Sequence, residues 1–137
     1  KYFKSKNVDY ELFSKNKKLR KKIIIMDEIG HLYKIYWKSK IAYIGGGFSN
    51  GVHNVMESSI AKIPTIFGPN YKNSHAAEEL INEKGGFCIE NSSNFNKILT
   101  LLLDDINFYN KASISASEVI KRNLGSSRKV LRGILFD

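Results

Sequence analysis

Residues 41–57 read Ile41-Ala42-Tyr43-Ile44-Gly45-Gly46-Gly47-Phe48-Ser49-Asn50-Gly51-Val52-His53-Asn54-Val55-Met56-Glu57. A short apolar run enters a glycine-rich loop, and the loop leads into a helical pattern that is predicted to start near Asn54 and run to Lys62. A strand that feeds a helix through glycines is one half of a βαβ unit. The same arrangement recurs on either side. Upstream, Ile23-Ile24-Ile25-Met26 is a continuous apolar run that predicts a strand buried on both faces, as in a parallel sheet. It is followed by Asp27, and then by Ile29, Leu32, Tyr33, Tyr36 and Trp37 at helical spacing over 29–39. Downstream, Pro64-Thr65-Ile66-Phe67 predicts a strand closed by Gly68-Pro69. Residues 74–84 read as a helix with Gly85-Gly86 as its stop signal, and Phe87–Glu90 as a last short strand. From Asn94 the pattern is helical to the end, broken near Asp104-Asp105 and Gly125. Tyr10–Phe13 reads as a short edge strand. The fold class is therefore α/β: a Rossmann-like parallel sheet flanked by helices.

Composition sets the limits. The chain has 137 residues, 42% of them hydrophobic and 12% aromatic, which fits one globular domain. No apolar run approaches the roughly 20 residues that a membrane span needs. Lys1 is expected to be an internal position of a longer protein. Cys88 is the only cysteine, so an intrachain disulfide is excluded; within Gly86-Phe87-Cys88-Ile89 it reads as a small core residue. Lys and Arg outnumber Asp and Glu 22 to 13, for a formal charge of +9, which favours anionic partners. The densest cluster, Lys15, Lys17, Lys18, Arg20, Lys21 and Lys22, reads as a solvated loop or a membrane-surface patch. Without interleaved aromatics it does not read as a nucleic-acid site.

In open α/β sheets, ligands bind beyond the carboxyl ends of the strands. Two loops qualify: Asp27-Glu28-Ile29-Gly30-His31, and Gly45 through Asn54. In the second, glycines admit a ligand close to the backbone, and the following helix offers N–H groups and a positive dipole end to a phosphate. It is neither a P-loop, since no Gly-Lys-Ser/Thr follows, nor the dinucleotide fingerprint, since Asn50 stands where the third glycine belongs. Asn54 and Glu57 admit two readings. They form a capping box at a helix start, or Glu57 accepts hydrogen bonds from the vicinal hydroxyls of a ribose. His31, His53 and His75 share no metal-ligand spacing, and no metal site is expected. His53, beside the glycines, is placed to hold a phosphate.

Four segments in this order carry a resemblance: Asp27-Glu28-Ile29-Gly30-His31-Leu32, Ala42-Tyr43-Ile44-Gly45-Gly46-Gly47, His53-Asn54-Val55-Met56-Glu57 and Pro64-Thr65-Ile66-Phe67-Gly68-Pro69-Asn70. Together they resemble the C-terminal domain of the 3-deoxy-D-manno-octulosonic acid (Kdo) transferase family, as does the tail Asn123-Leu124-Gly125 with its basic amphipathic helix. The chain departs from the family at Val55 and Ser58, where the family has Pro, at His31, where it has Glu, and in a glycine loop about one residue shorter.

The resemblance implies the C-terminal half of a two-domain GT-B glycosyltransferase. Residues 1–137 would be a single nucleotide-sugar-binding domain truncated on its N-terminal side, with the acceptor and catalytic domain absent. It implies transfer of Kdo from CMP-Kdo to a lipid A precursor in lipopolysaccharide synthesis, without metal or other cofactor. The setting would be the cytoplasmic face of the inner membrane, at an anionic surface. Ile29, Gly30 and His31 would line the CMP site mostly through backbone, as would Asn54, Val55, Met56 and Glu57, with Glu57 on the ribose. The glycines Gly45, Gly46 and Gly47 and the adjacent His53 complete the expected donor-site set. The catalytic carboxylate and a Pro-Arg-His segment that contacts CMP would lie upstream of Lys1, so the chain alone would be soluble and inactive. The competing readings are a GT-B enzyme using a UDP-sugar, either a transferase or an epimerase, and a non-enzymatic flavodoxin-like anion-binding module.

Overall fold

The computed structural model describes residues 6–15, 18 and 20–124. The predicted break at Gly125, the tail helix with Val130, Leu131, Ile134 and Leu135, and Lys17 of the basic cluster lie outside them. The chain forms two compact units, Lys1–Ile35 and Tyr36–Asp137.

In the first unit, β1 (Glu11–Leu12) and β2 (Ile24–Ile25) pair in parallel, with Glu11 opposite Ile24 and Leu12 opposite Ile25. A single 3-10 turn, Phe13–Lys15, follows β1. The expected strand at Tyr10–Phe13 is thus present but two residues long. Ile23–Met26 differs from expectation: only Ile24 and Ile25 are strand, and Ile23 and Ile24 are 37% and 40% exposed. A two-stranded ribbon has no second layer to cover both faces of an apolar run, so burial on both faces is not achieved within this unit. The Glu11 carboxylate accepts from the backbone N–H of Arg20 and, at 2.9 Å, of Lys21. The Lys21 ammonium pairs with Asp9 at 2.7 Å. Part of the basic cluster is therefore folded back onto its own unit. Helix α1 spans Leu32–Tyr36, shorter than the predicted 29–39, and Ile29, Leu32, Tyr33 and Trp37 are exposed.

The second unit is the α/β layer structure that the alternating pattern predicts. Its elements are β3 (Ala42–Ile44), α2 (Met56–Ile60), β4 (Thr65–Phe67), α3 (His75–Asn82), β5 (Gly86–Cys88), α4 (Ser92–Asp104) and α5 (Ile106–Leu124). The sheet is parallel in the order β3-β4-β5, with Ala42 opposite Thr65 and Thr65 opposite Gly86. The central strand β4 is buried on both faces: Thr65, Ile66 and Phe67 are all 0% exposed. Alternation along it feeds two cores. Phe67 joins Ala42, Ile44, Val52, Val55, Leu80, Ala116 and Val119, while Ile66 joins Ile89, Leu102 and Ala112.

Helix ends follow local chemistry. Asn91 caps α4 by accepting from Asn94 N–H at 2.9 Å, and Ser74 caps α3 by accepting from Ala77 N–H at 3.3 Å. Asp105 separates the last two helices; its carboxylate accepts from the N–H groups of Asn107 and Phe108 at 2.9 and 3.0 Å. The stop of α3 differs from expectation. Lys84, not a glycine, takes the left-handed position (φ 61°). Its N–H donates to Ile81 C=O and that of Gly85 to Leu80 C=O, at 3.0 and 2.9 Å, the paired bonds of a Schellman motif. Gly85 is small for another reason: a Cβ there would lie 2.5 Å from the backbone N of Ala116 in α5.

Candidate functional site

The carboxyl ends of β3 and β4 carry the two loops from which the second unit's candidate site is built. Gly46 adopts φ +88°, and a Cβ on it would meet Gly51 O at 2.2 Å and the His53 ring at 2.7 Å. A Cβ on Gly47 would lie 2.6 Å from the backbone N of Gly68, where the β4 loop crosses. These two glycines are therefore required by the protein's own close packing, not by room for a ligand. Gly45 alone of the triplet has space: a Cβ there would have only His53 Nδ1 near it, at 4.0 Å.

Hydrogen bonds fix the crossing. Asn70 N–H donates to Gly47 C=O at 2.8 Å, Val52 N–H to Asn70 C=O at 2.8 Å and His53 N–H to Gly45 C=O at 3.0 Å. The Asn73 amide spans Val52, accepting from its N–H at 3.1 Å and donating to its C=O at 3.0 Å. Asn70 Nδ2 donates to Ser49 C=O at 2.9 Å. Asn73 was not legible as a site-shaping residue. Its one signal is its type: a side-chain amide can imitate a strand's donor and acceptor pair.

At the end of the loop, Val55 is 1% exposed and belongs to the core, so only its backbone faces the site. Asn54 Oδ1 accepts from Met56 N–H at 2.9 Å, and Asn54 Nδ2 donates to Glu57 Oε1 at 3.2 Å. The Asn54 bond to Met56 N–H serves the first turn as a cap does, but the reciprocal half of the expected capping box is absent. The helix boundary falls at Val55 without a side-chain cap, Asn54 makes a tight turn two residues long, and Glu57 bonds the Asn54 side chain instead of its backbone N–H. Among the described residues Glu57 Oε2 takes no hydrogen bond. The Glu57 charge, together with the larger effect of partial burial, holds the Tyr36 phenol above its ordinary pKa. Helix α2 is only five residues long; the chain leaves it through Lys62 in the left-handed region (φ 60°), and the buried Ser58 and Ser59 hydroxyls donate to Val55 C=O at 2.9 Å each. Its dipole is correspondingly modest.

Ile29, Gly30 and His31 lie in the first unit. Ile29 is fully exposed, and Gly30 (φ +92°) has nothing within 4 Å of its Cβ position. His31 Nε2 stands 3.1 Å from the Glu28 carboxylate, with its ring 5.1 Å from that of Phe13. Asp27 accepts from Ser14 N–H at 2.9 Å and from Ser14 Oγ–H at 2.6 Å, and these bonds hold its carboxyl below the usual range. Within the second unit Gly45, Gly46, Gly47, His53 and Asn54 lie on the loop after β3, and Glu57 lies in the first turn of α2 that follows it. Among the described residues no three His, Cys, Asp or Glu side chains are grouped to hold a metal ion.

A parallel α/β layer with a glycine crossing at its strand ends and a carboxylate at the next helix start defines a Rossmann-like α/β domain. No family model matches the chain. It is 36% identical over 102 residues to a 3-deoxy-D-manno-octulosonic acid transferase of Chlamydophila psittaci, covering 72% of this chain and 23% of that protein. It is 34% identical over 114 residues to the transferase of the same description in Aquifex aeolicus, covering 82% of this chain and 32% of that protein. The fold matches that of the C-terminal CMP-Kdo binding domain of WaaA from Acinetobacter baumannii, with a TM-score of 0.78 and 21% identity, over 86% of this chain and 64% of that one. The chain is a homologue of the Kdo transferases and has the fold of their C-terminal domain. It spans about a quarter to a third of the length of these two curated relatives.

Proposed function

We propose that this chain is the donor-binding domain of a glycosyltransferase that moves Kdo from CMP-Kdo to a lipid A precursor. The observation that carries the reading is the pairing of transferase relatives in sequence with the fold of a CMP-Kdo-binding domain. The site chemistry supports it. Glu57 keeps one carboxylate oxygen open for a ribose diol. Gly45 leaves room for close approach to the backbone. His53 and the start of α2 follow on the same loop, where a departing nucleotide phosphate needs donors. Ile29, Gly30 and His31 supply further nucleotide contacts in this reading. The base that deprotonates the acceptor hydroxyl lies outside this chain. Exposed lysines and arginines help to hold the whole enzyme at an anionic membrane surface on the cytoplasmic side, each worth about 1 kcal/mol at most. No helix among the described residues is long and apolar enough to cross a membrane.

The test is transfer of Kdo from CMP-Kdo to a lipid A precursor by the protein that joins this domain to its acceptor domain. Glu57→Ala should lower transfer there, and residues 1–137 alone should transfer nothing. Transfer from a UDP-sugar instead, or by residues 1–137 alone, would contradict the proposal.

A further inference from the structure

Between the two crossed loops lies a polar groove of about 360 Å³, walled by Ser49, Asn50 and Gly51 on one side and by Pro69, Asn70, Lys72 and Asn73 on the other. Its walls are fixed, because Asn70 and Asn73 spend their side chains on Ser49 and Val52. Among the described residues, Lys72 is the one cation that lines it, and no carboxylate does. Neither the Lys72 ammonium nor the Asn50 amide has a hydrogen-bond or ion-pair partner among those residues. Only Val52, His53, Asn54 and Val55 separate this wall from α2 and Glu57. The groove therefore sits on the loop proposed to take the nucleotide, with an unused cation and an unused amide on pinned backbone.

Resting on the proposed function, we infer that Lys72, with Asn50 beside it, binds the carboxylate of the donor's acidic sugar and so selects a nucleotide-linked sugar acid over the bare nucleotide. A sugar acid places a carboxylate beyond the phosphate, where neither the bare nucleotide nor a neutral sugar has an anionic group. A lysine in a groove without acidic neighbours attracts that charge, and a side-chain amide supplies a second donor to the same group. Lys72 is a specificity-determining residue in this account and takes no part in bond breaking.

The experiment titrates residues 1–137 with CMP and with CMP-Kdo, following backbone amide shifts, for the wild type, Lys72→Ala and Lys72→Arg. CMP-Kdo should bind about tenfold more tightly than CMP to the wild type, the low end for a hydrogen-bonded charge in a half-open groove. Lys72→Ala should erase that preference and leave CMP binding unchanged, and Lys72→Arg should keep most of it. Equal affinities of the wild type for the two ligands, or a preference that survives Lys72→Ala, would overturn the inference while leaving the donor-domain reading intact. Failure of both ligands to bind would overturn both. Thermal melts of Lys72→Ala should match the wild type, since its side chain lies in no hydrogen bond or ion pair among the described residues.

Discussion

Replacing Gly47 by Ala tests the loop crossing on which the candidate site is built. The added Cβ would lie 2.6, 2.8 and 2.9 Å from the N, Cα and C of Gly68, where ordinary contact begins at 3.4 Å. All three neighbours are backbone, so no side chain can swing away and one loop must move. Overpacking of this kind costs about 1–3 kcal/mol. Moving the loop also stretches the 2.8 Å bond from Asn70 N–H to Gly47 C=O, worth about 1 kcal/mol. Gly47→Ala is therefore expected to lose about 2–4 kcal/mol, a fall in Tm on the order of 10 °C. Gly68→Ala meets the same crossing from the other side, with its Cβ 2.6 Å from Gly47 C. Once either substitution has parted the loops, the second costs less, so the double variant should fall short of additivity by about 0.5–3 kcal/mol. Urea unfolding of the four proteins, followed by circular dichroism, measures all of these terms. A Gly47→Ala variant within about 0.5 kcal/mol of the wild type, or full additivity in the cycle, would refute the crossing.

Gly45→Ala should be neutral for stability, within about 0.5 kcal/mol, because its Cβ site is open; CMP affinity should nonetheless fall if the nucleotide approaches that backbone, as amide-shift titration would read. Lys84→Gly should stabilise the fold by about 0.5–1 kcal/mol in thermal melts, because glycine relieves the left-handed backbone at the end of α3. The Asp27 carboxyl, held down by Ser14, should titrate below the ordinary aspartate range, and Ser14→Ala should bring the midpoint back up, both read from its carboxyl carbon shift. A depressed carboxyl contributes stability above its unfolded pKa and loses it as pH falls through the folded pKa, so the Ser14 clamp is present at neutral pH and released only in acid.

The parallel sheet was legible because β4 is buried on both faces and its residues are apolar or β-branched without a break, which is what Pro64-Thr65-Ile66-Phe67 looks like in sequence. The two short strands of the first unit were harder. Ile23–Met26 carries the pattern of a fully covered strand, yet within a two-stranded ribbon half of it stays exposed. The glycines illustrate a limit of a different kind. Gly46, Gly47 and Gly85 announce themselves as special, but sequence cannot say whether a ligand or another piece of backbone comes close. Here Gly51, His53, Gly68 and Ala116 do, and each is contributed by a turn or a different element. Conversely, the left-handed ends of α2 and α3 fall on Lys62 and Lys84, residues with no local signal; beside Lys84, close packing on Ala116 has claimed Gly85. Asn54 and Glu57 were placed together correctly by their spacing. The exact bond was not, since a side-chain amide has two atoms and either can serve the turn.

The central claim is that the loop from Gly45 to Glu57 holds the cytidine nucleotide of the donor. Titration of the wild-type chain and Glu57→Ala with CMP, with UDP as comparator, measures this directly through backbone amide shifts. The account predicts shifts centred on Gly45, His53 and Glu57, tighter binding of CMP than of UDP, and a loss of about 1.5–3 kcal/mol of CMP affinity in Glu57→Ala. That variant should unfold within about 1 kcal/mol of the wild type, because only the exposed bond from Asn54 is lost. CMP affinity unchanged by the substitution, or shifts that leave this loop untouched, would contradict it.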